Sequence, residues 1–453
     1  MRTRSLWLAL LATAGLAATT LAPSAVRAQA PTLRVDPAPS VVFPFELGNA
    51  HPELAPTLFR GQMDMGRNDP EIPIPLGHDR YEEGGLFVNF GWVMYRQSNP
   101  LSGQLLARRG FVDADGSVTA LQRPDGTPIR GTGQQGAFVG TGTQALDVNQ
   151  LGGPGTYTPG WRVGLGWRFR DGSAVEFDWT QMFNTHYNHT ATFVPPQFHF
   201  GADLADSFLT APVFNFPNAF AGPANKVSRI NAAGDTVPLG NPFAVYGIWN
   251  GATLMSIDLI QRYSQGDITY RQPICEVDDY RMYGLVGPRF AWIWERFRWR
   301  TVSTDVNGDA GPQDVAIYTN IVSNRMYGGF VGIGQDWWLG HGFSISLDLR
   351  SALLLDIVKE RATYELGVKD TPPQSKRSIT DYTVVPELQG TLNLSYNPIE
   401  AIQIRLGYDV MAYFNTKASS KPVTFDWGGI DPAFNHEFIR FFDGIQASIG
   451  FVF

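Results

Sequence analysis

The chain has a single cysteine, Cys275, in 453 residues. A lone thiol excludes an internal disulfide framework and a cysteine-based zinc site. Beyond the first thirty residues there is no run of about 18 apolar residues, so no helix is expected to cross a membrane. Basic residues are not in excess, with Lys+Arg 35 against Asp+Glu 42 and a net charge of −7. That argues against a nucleic-acid partner, which requires a basic surface. Charge is scarce altogether, at 17%, while aromatics reach 13% and glycines number 48. Length alone suggests two or three soluble domains, but this composition suits one large sheet with many turns. A mean hydropathy of −0.13 does not speak against a membrane, because a spanning barrel is apolar only at alternate residues.

The amino terminus, "MRTRSLWLALLATAGLAATTLAPSAVRAQA", has Arg2 and Arg4, a Leu/Ala-rich core and small residues near Ala28. This is the layout of a secretory signal cleaved after Ala28, and losing its three arginines takes the net charge from −7 to −10. Residues 1–28 are read as the signal. Residues 29–84, rich in proline, are read as a periplasmic or lumen-plugging segment, and 85–453 as the membrane-embedded body.

What is abundant is alternation. In "GWRVGLGWRFRDGSAVEFDWTQMF" the residues Trp161, Val163, Leu165, Trp167 and Phe169 take every second position, with Arg162, Arg168 and Arg170 between them. After Asp-Gly-Ser the alternation resumes, with Val175, Phe177 and Trp179 set against Glu176 and Asp178. Period two is the strand signal, and each run is long enough to cross a hydrocarbon core at a tilt of about 45°. Ten such runs are present, near 86–97, 159–170, 174–187, 252–264, 279–296, 322–338, 343–360, 383–397, 401–414 and 439–453. The links between them alternate. Those at 171–173, 339–342 and 398–401 are short, and 265–278 is intermediate. Those at 98–158, 188–251, 297–321, 361–382 and 415–438 are long.

A soluble β-sandwich has no reason to lengthen every second connection. An outer-membrane barrel does, with short turns in the periplasm and long loops outside. The expected fold is all-β: an up-and-down antiparallel transmembrane β-barrel of about ten strands with long extracellular loops. A further hairpin within 188–251 would make twelve. Aromatics then face lipid and arginines the lumen, because the reverse costs about 2–4 kcal/mol per arginine near the midplane. The final run, "GIQASIGFVF", alternates to a terminal Phe453, the pattern expected of a substrate of the barrel-assembly machinery.

The stretches "YGLVGPRFAWI" (283–293), "NRMYGGFVGIGQDWW" (324–338), "VVPELQ" and "LGYDVMAYF" (406–414) resemble the outer-membrane β-barrel proteins of planctomycete bacteria. More distantly, they are similar to Legionella-type pore-forming major outer-membrane proteins. The resemblance covers roughly 160–453. It implies an outer-membrane barrel and a pore, and it supplies no catalytic residues.

The main chemical content is the set of charges assigned to the lumen. The cations are Arg162, Arg168, Arg170, Arg262, Arg281, Arg289, Arg350 and Arg405. The acids are Glu176, Asp178, Asp258, Glu295, Asp336, Asp348, Asp356, Glu387 and Asp409. Near balance suits either a salt-bridged, sealed interior or the crossed fields of a water-filled pore. "DVNGDAG" (305–311) spaces Asp305, Asn307 and Asp309 as a calcium loop would. It has Ala310 in place of the turn glycine and Ala316 in place of the bidentate Glu, so a solvated loop is the expectation. His186, His189 and His199 lie close in sequence without a supporting acid. No G-x-S-x-G or H-E-x-x-H occurs. The chain is therefore expected to be no enzyme, to need no metal or other cofactor, and to have outer-membrane lipid as its partner. A passive pore for small hydrophilic solutes is the first functional expectation. A non-conducting structural or surface-interaction barrel is the alternative, and an outer-membrane hydrolase comes third.

Overall fold

The computed structural model describes residues 85–453, apart from 194–207, 216–219, 222–226, 231–232, 242, 244–246, 278, 305–309, 368–373, 400 and 431–434. All of these belong to one unit, Arg60–Phe453. The signal and the 29–84 segment lie outside the described residues, as do Asp305, Asn307, Asp309 and His199.

Ten strands form the wall: β1 Gly85–Gln97, β2 Tyr157–Arg168, β3 Ala174–Met182, β4 Leu254–Val277, β5 Tyr280–Val302, β6 Val315–Gly340, β7 Phe343–Leu366, β8 Gln374–Ile399, β9 Ile402–Ser419 and β10 Asn435–Val452. After a kink at Phe183–Asn184, β3 resumes as Thr185–Thr192, and both parts pair with β4. Each strand is antiparallel to the next, and β1 pairs with β10, from Phe87↔Val452 to Gln97↔Phe442. The sheet therefore closes on itself as a ring, and the Thr185–Thr192 continuation of β3 pairs with β4 alone among the described residues.

The turns follow from local chemistry. At Phe169–Ser173 the Asp171 carboxylate accepts from the Ser173 backbone N–H (3.0 Å) and hydroxyl (2.6 Å), and Gly172 takes a φ of +80°. Between β6 and β7 only His341 and Gly342 remain, both at positive φ (53° and 80°). That is the two-residue turn whose twist suits a hairpin. In the wall, Gly287 is required by close approach, since a Cβ there would lie 1.7 Å from the Ile268 carbonyl oxygen. Its neighbour Pro288 has no N–H to give to the ladder.

Alternation holds across the ring. Leu165, Val286, Val331, Leu353, Leu388 and Leu406 point outward and are exposed to the surroundings. The residues between them point inward and are buried. An outward surface so apolar requires lipid around it. Near the short turns it carries Tyr280 against Trp337 (ring centroids 5.9 Å apart) and Phe343 stacked on Tyr396 (4.5 Å), the aromatic belt of an interface.

The strands run further than the alternation suggests. β4 continues to Val277 through the link expected at 265–278, while β5 reaches Val302 and β6 starts at Val315. Beyond the hydrocarbon the backbone pairing continues, but lipid no longer imposes the two-residue period. The hairpin that would make twelve strands is not in the ring. The hairpin described within 188–251, Val227–Ile230 with Thr236–Gly240, lies outside the barrel sheet.

The long links fold over the far end. Leu105–Arg109, Gln144–Asp147, Leu209–Thr210 and Asn250–Ala252 form a small four-stranded sheet. Its apolar face joins Met255, Ile257, Phe297, Trp299, Tyr318 and Tyr364 from the strand ends in one buried cluster. At its centre the Trp249 ring lies 4.4 Å from Trp299 and 4.6 Å from Trp427, with Tyr318 stacked on Trp427 at 5.7 Å.

Candidate functional site: the barrel interior

Below this cap, the middle of the lumen is filled by inward side chains. Val93, Leu285, Ile293, Met326, Phe330, Leu354, Val385, Met411 and Phe442 pack as one buried cluster. Polar groups thread through it in ion pairs and hydrogen bonds. Arg289 donates to both Asp267 oxygens (2.8 Å each), to Glu387 (2.5 Å) and to Gln389 (2.7 Å). Arg350 lies 3.5 Å from Asp267 and 3.3 Å from Asp348. Arg162 donates to Gln446 (2.8 Å) and to Asp178 (3.4 Å). Asp409 accepts from the Tyr95 hydroxyl and from Thr391 (2.6 Å).

Two groups of contacts cross the whole lumen. The Tyr263 and Tyr413 hydroxyls are 2.9 Å apart, on β4 and β9. Arg440 on β10 meets Glu295 on β5 through two hydrogen bonds of 2.7 and 2.8 Å, and Gln261 donates to the same carboxylate at 2.9 Å. Each of these pairs joins strands five apart in a ring of ten, which are opposite walls.

At the short-turn end the interior opens into a cavity of about 150 Å³ lined by Arg168, Arg271, Arg281 and Arg405 with Glu176, Asp336 and Asp348. Asn89, Asn393, Ser346 and Ser395 are also among its walls. Arg271 pairs with Asp348 at 3.2 Å, and Arg281 pairs with Glu276. Asn89 donates to Glu176 at 3.2 Å.

Most of the charges assigned to the lumen face it, namely Arg162, Arg168, Glu176, Asp178, Arg281, Arg289, Glu295, Asp336, Asp348, Arg350, Asp356, Glu387, Arg405 and Asp409. Asp356 is fully buried opposite Met326 and Thr383. Three do not face it. Arg170 is exposed in the turn after β2. Asp258 and Arg262 point outward, since Met255, Ile257, Leu259 and Tyr263 take the inner face of β4. The reason is height: this part of β4 rises beside the apolar cap, so the usual polarity of the two faces is inverted. Alternation also missed Asp267 and Arg271, in the stretch expected to be a link, and Arg440, which anchors β10 to β5. His186 pairs with Ile260 and His189 with Ile257, on opposite faces of the strand. Among the described residues no group of three His, Cys, Asp or Glu side chains could hold a metal ion.

A closed ring with an apolar outer wall and a polar, ion-paired interior is the architecture of an outer-membrane barrel. The family model described as Legionella pneumophila major outer membrane protein precursor matches residues 147–427, more than half of the chain. The chain belongs to this family. It is an outer-membrane β-barrel of a bacterial cell, and the match bears on the Legionella-type likeness read from its sequence. No curated protein matches it.

Among solved structures it is similar to the Escherichia coli outer membrane protease OmpT, at 8% identity and a TM-score of 0.38, over 82% of this chain and 97% of that one. It is similar to the Pseudomonas putida toluene transporter TodX at 7% identity and a TM-score of 0.22, over 81% of this chain and 89% of that one. It is also similar to an anion-selective porin from Comamonas acidovorans at 11% identity and a TM-score of 0.14, over 82% of this chain and 100% of that one. Likenesses this slight carry no functional argument.

Proposed function

We propose that this family member is a barrel with a closed lumen, a structural element of the outer membrane that presents its folded loops to the outside. One observation carries the reading: buried polar contacts join opposite walls, Glu295 to Arg440 and Tyr263 to Tyr413. An aqueous channel needs a continuous wet path, whereas here apolar side chains and ion pairs occupy the middle and an aromatic cap lies above them. This favours the non-conducting alternative over the passive pore. Catalysis is no part of the proposal.

The test is conductance. Full-length protein that shows heat-dependent gel mobility should give no reproducible current steps in a planar bilayer. Regular steps from such material would restore the pore reading, with the cavity at the short-turn end as its entrance.

A further inference from the structure

Outward side chains above the lipid belt are not uniform around the ring. On β4–β7 the cross-strand rows Arg262↔Trp294↔Ser323↔Lys359 and Ile260↔Arg296↔Ile321↔Arg361 lie on the outer face. Beyond them stand Arg298 and Arg300 of β5, and just below them Arg325, opposite Trp292. Seven cations thus share one outer surface of a chain whose net charge is −7. The acids on the same face are Asp258, 3.6 Å from Arg296, and Glu365 at the far edge, opposite Ile317.

The height of this surface follows from the strand. Trp337, in the aromatic belt near the short turns, and Arg325 are separated on β6 by about twelve residues. At about 3.3 Å per residue and a tilt of about 40° they stand about 30 Å apart along the membrane normal. The apolar belt of such barrels is about 25 Å tall, so Arg325 and Trp292 mark its far boundary. By the same rise Arg262 and Lys359 stand about 5 Å above that boundary and Arg296 and Arg361 about 10 Å above it, beside the headgroups, while Arg298 and Arg300 lie about 15 and 20 Å above it. Arg262 lies over the Trp294 ring (4.4 Å) and Arg325 over Trp292 (5.9 Å), and Trp292 donates to Ser323 (3.0 Å). This is an interfacial aromatic shelf that carries cations.

These cations are short of partners. Of the seven, only Arg296 has a carboxylate within ion-pairing distance among the described residues, Asp258 at 3.6 Å. The opposite wall differs. There the outward Arg96 donates to Asp443 at 3.0 and 3.1 Å, and Tyr157 and Tyr408 donate to the same carboxylate at 3.1 and 2.9 Å.

We propose that the outer face of β4–β7 binds phosphate-bearing lipid headgroups of the leaflet on the loop side. Each cation near a charged headgroup layer contributes about 1 kcal/mol, and guanidinium groups pair with phosphate in a bidentate fork. The aromatic shelf sets the depth at which the acyl chains begin.

Native mass spectrometry of the full-length protein in detergent tests this, with a bisphosphorylated lipid A as probe and phosphatidylcholine as neutral comparator. The wild-type protein should retain the phosphorylated lipid and release the neutral one. R262Q/K359Q/R361Q should lower that affinity at least about tenfold, from the per-cation value above, and R96Q should leave it unchanged. Equal retention of both lipids, undiminished binding by the triple variant, or equal loss in R96Q would overturn the proposal. Displacement by inorganic phosphate beyond that caused by chloride at the same ionic strength would also overturn it, by assigning the surface to a free ion. Should the triple variant not fold, the wild-type protein decides: retention must weaken steadily as salt rises, and retention indifferent to salt overturns the proposal.

Discussion

Glu295 and Arg440 stand on opposite strands of the ring, yet their carboxylate and guanidinium meet in two hydrogen bonds of 2.7 and 2.8 Å. Both side chains are almost wholly buried, at 3% and 0% exposure. Burying two ions is costly, and the attraction offsets that cost only when both are present and fully bonded. Arg440→Gln should therefore lower stability by about 3–5 kcal/mol, the usual result of orphaning a buried charge. Glu295→Gln/Arg440→Gln should recover part of the loss. Urea midpoints read from the heat-dependent gel shift check this, and a double variant worse than the sum of the singles would refute it.

The cap should yield separately from the wall. Trp249 packs on both Trp299 and Trp427, and Trp249→Ala removes the shared ring at a cost of about 3–5 kcal/mol. Because the barrel strands pair without it, heat-dependent mobility should persist while the loop segments become open to a surface protease. Loss of both together would show one cooperative unit.

Depth should govern tolerance on the lipid side. Leu349 is outward at mid-height, next to the inward, ion-paired Arg350, whereas Leu165 is outward four residues before the turn residue Phe169. Leu349→Arg should cost about 2–4 kcal/mol and Leu165→Arg about 0–1, following the depth dependence of such substitutions. The folded fraction after refolding into vesicles measures the difference. Equal costs would argue against the placement of the apolar belt.

How much was legible in the sequence depended on lipid. Where β2, β7 and β8 cross hydrocarbon, a charge on the wrong face is expensive, so Arg162, Asp348, Arg350 and Glu387 could be placed by counting. Above that belt the penalty vanishes. Asp258 and Arg262 sit there with Ile257 and Leu259 facing the cap, and counting put them on the wrong side. Asp267 and Arg271 were hidden because Gly266 and Pro273 look like a link, although the strand runs through them. The union of Glu295 with Arg440 was beyond reach for a different reason. Glu295 was assigned to the lumen and Arg440 was not, and only closure of the ring brings walls five strands apart together.

Acid should loosen one loop anchor. Burial pushes the Asp115 carboxyl up, but hydrogen bonds from Ser117 (backbone N–H, 2.9 Å) and the Asn241 backbone N–H (2.8 Å) outweigh it and hold it below the usual value of 3.8. A carboxyl depressed in the folded state contributes stability above its unfolded value, and that contribution is lost as pH falls through the folded one. Hydrogen exchange at the Asn241 amide should thus keep its protection from neutral pH to about pH 4, after correction for the intrinsic exchange rate, and lose it in stronger acid. Asp115→Asn should lack the acid step. The same acid step in that variant would assign the transition to another group.

The strand pair that shuts the ring joins Phe87 to Val452, from opposite ends of the described chain. Every other wall pairing links neighbours along the chain and can zip as a hairpin, but this one must close nearly the whole polypeptide into a loop. Such closure is entropically expensive and slow. Until it happens the sheet is an open ribbon with two free edges, and the inward arginines and carboxylates are still hydrated. Arg440 rides on the closing strand, so its meeting with Glu295 waits for that last seam. Drying of the interior and joining of the edges then become a single late step. A half-assembled barrel would be recognisable by wet charges inside it as much as by its unpaired β1 and β10.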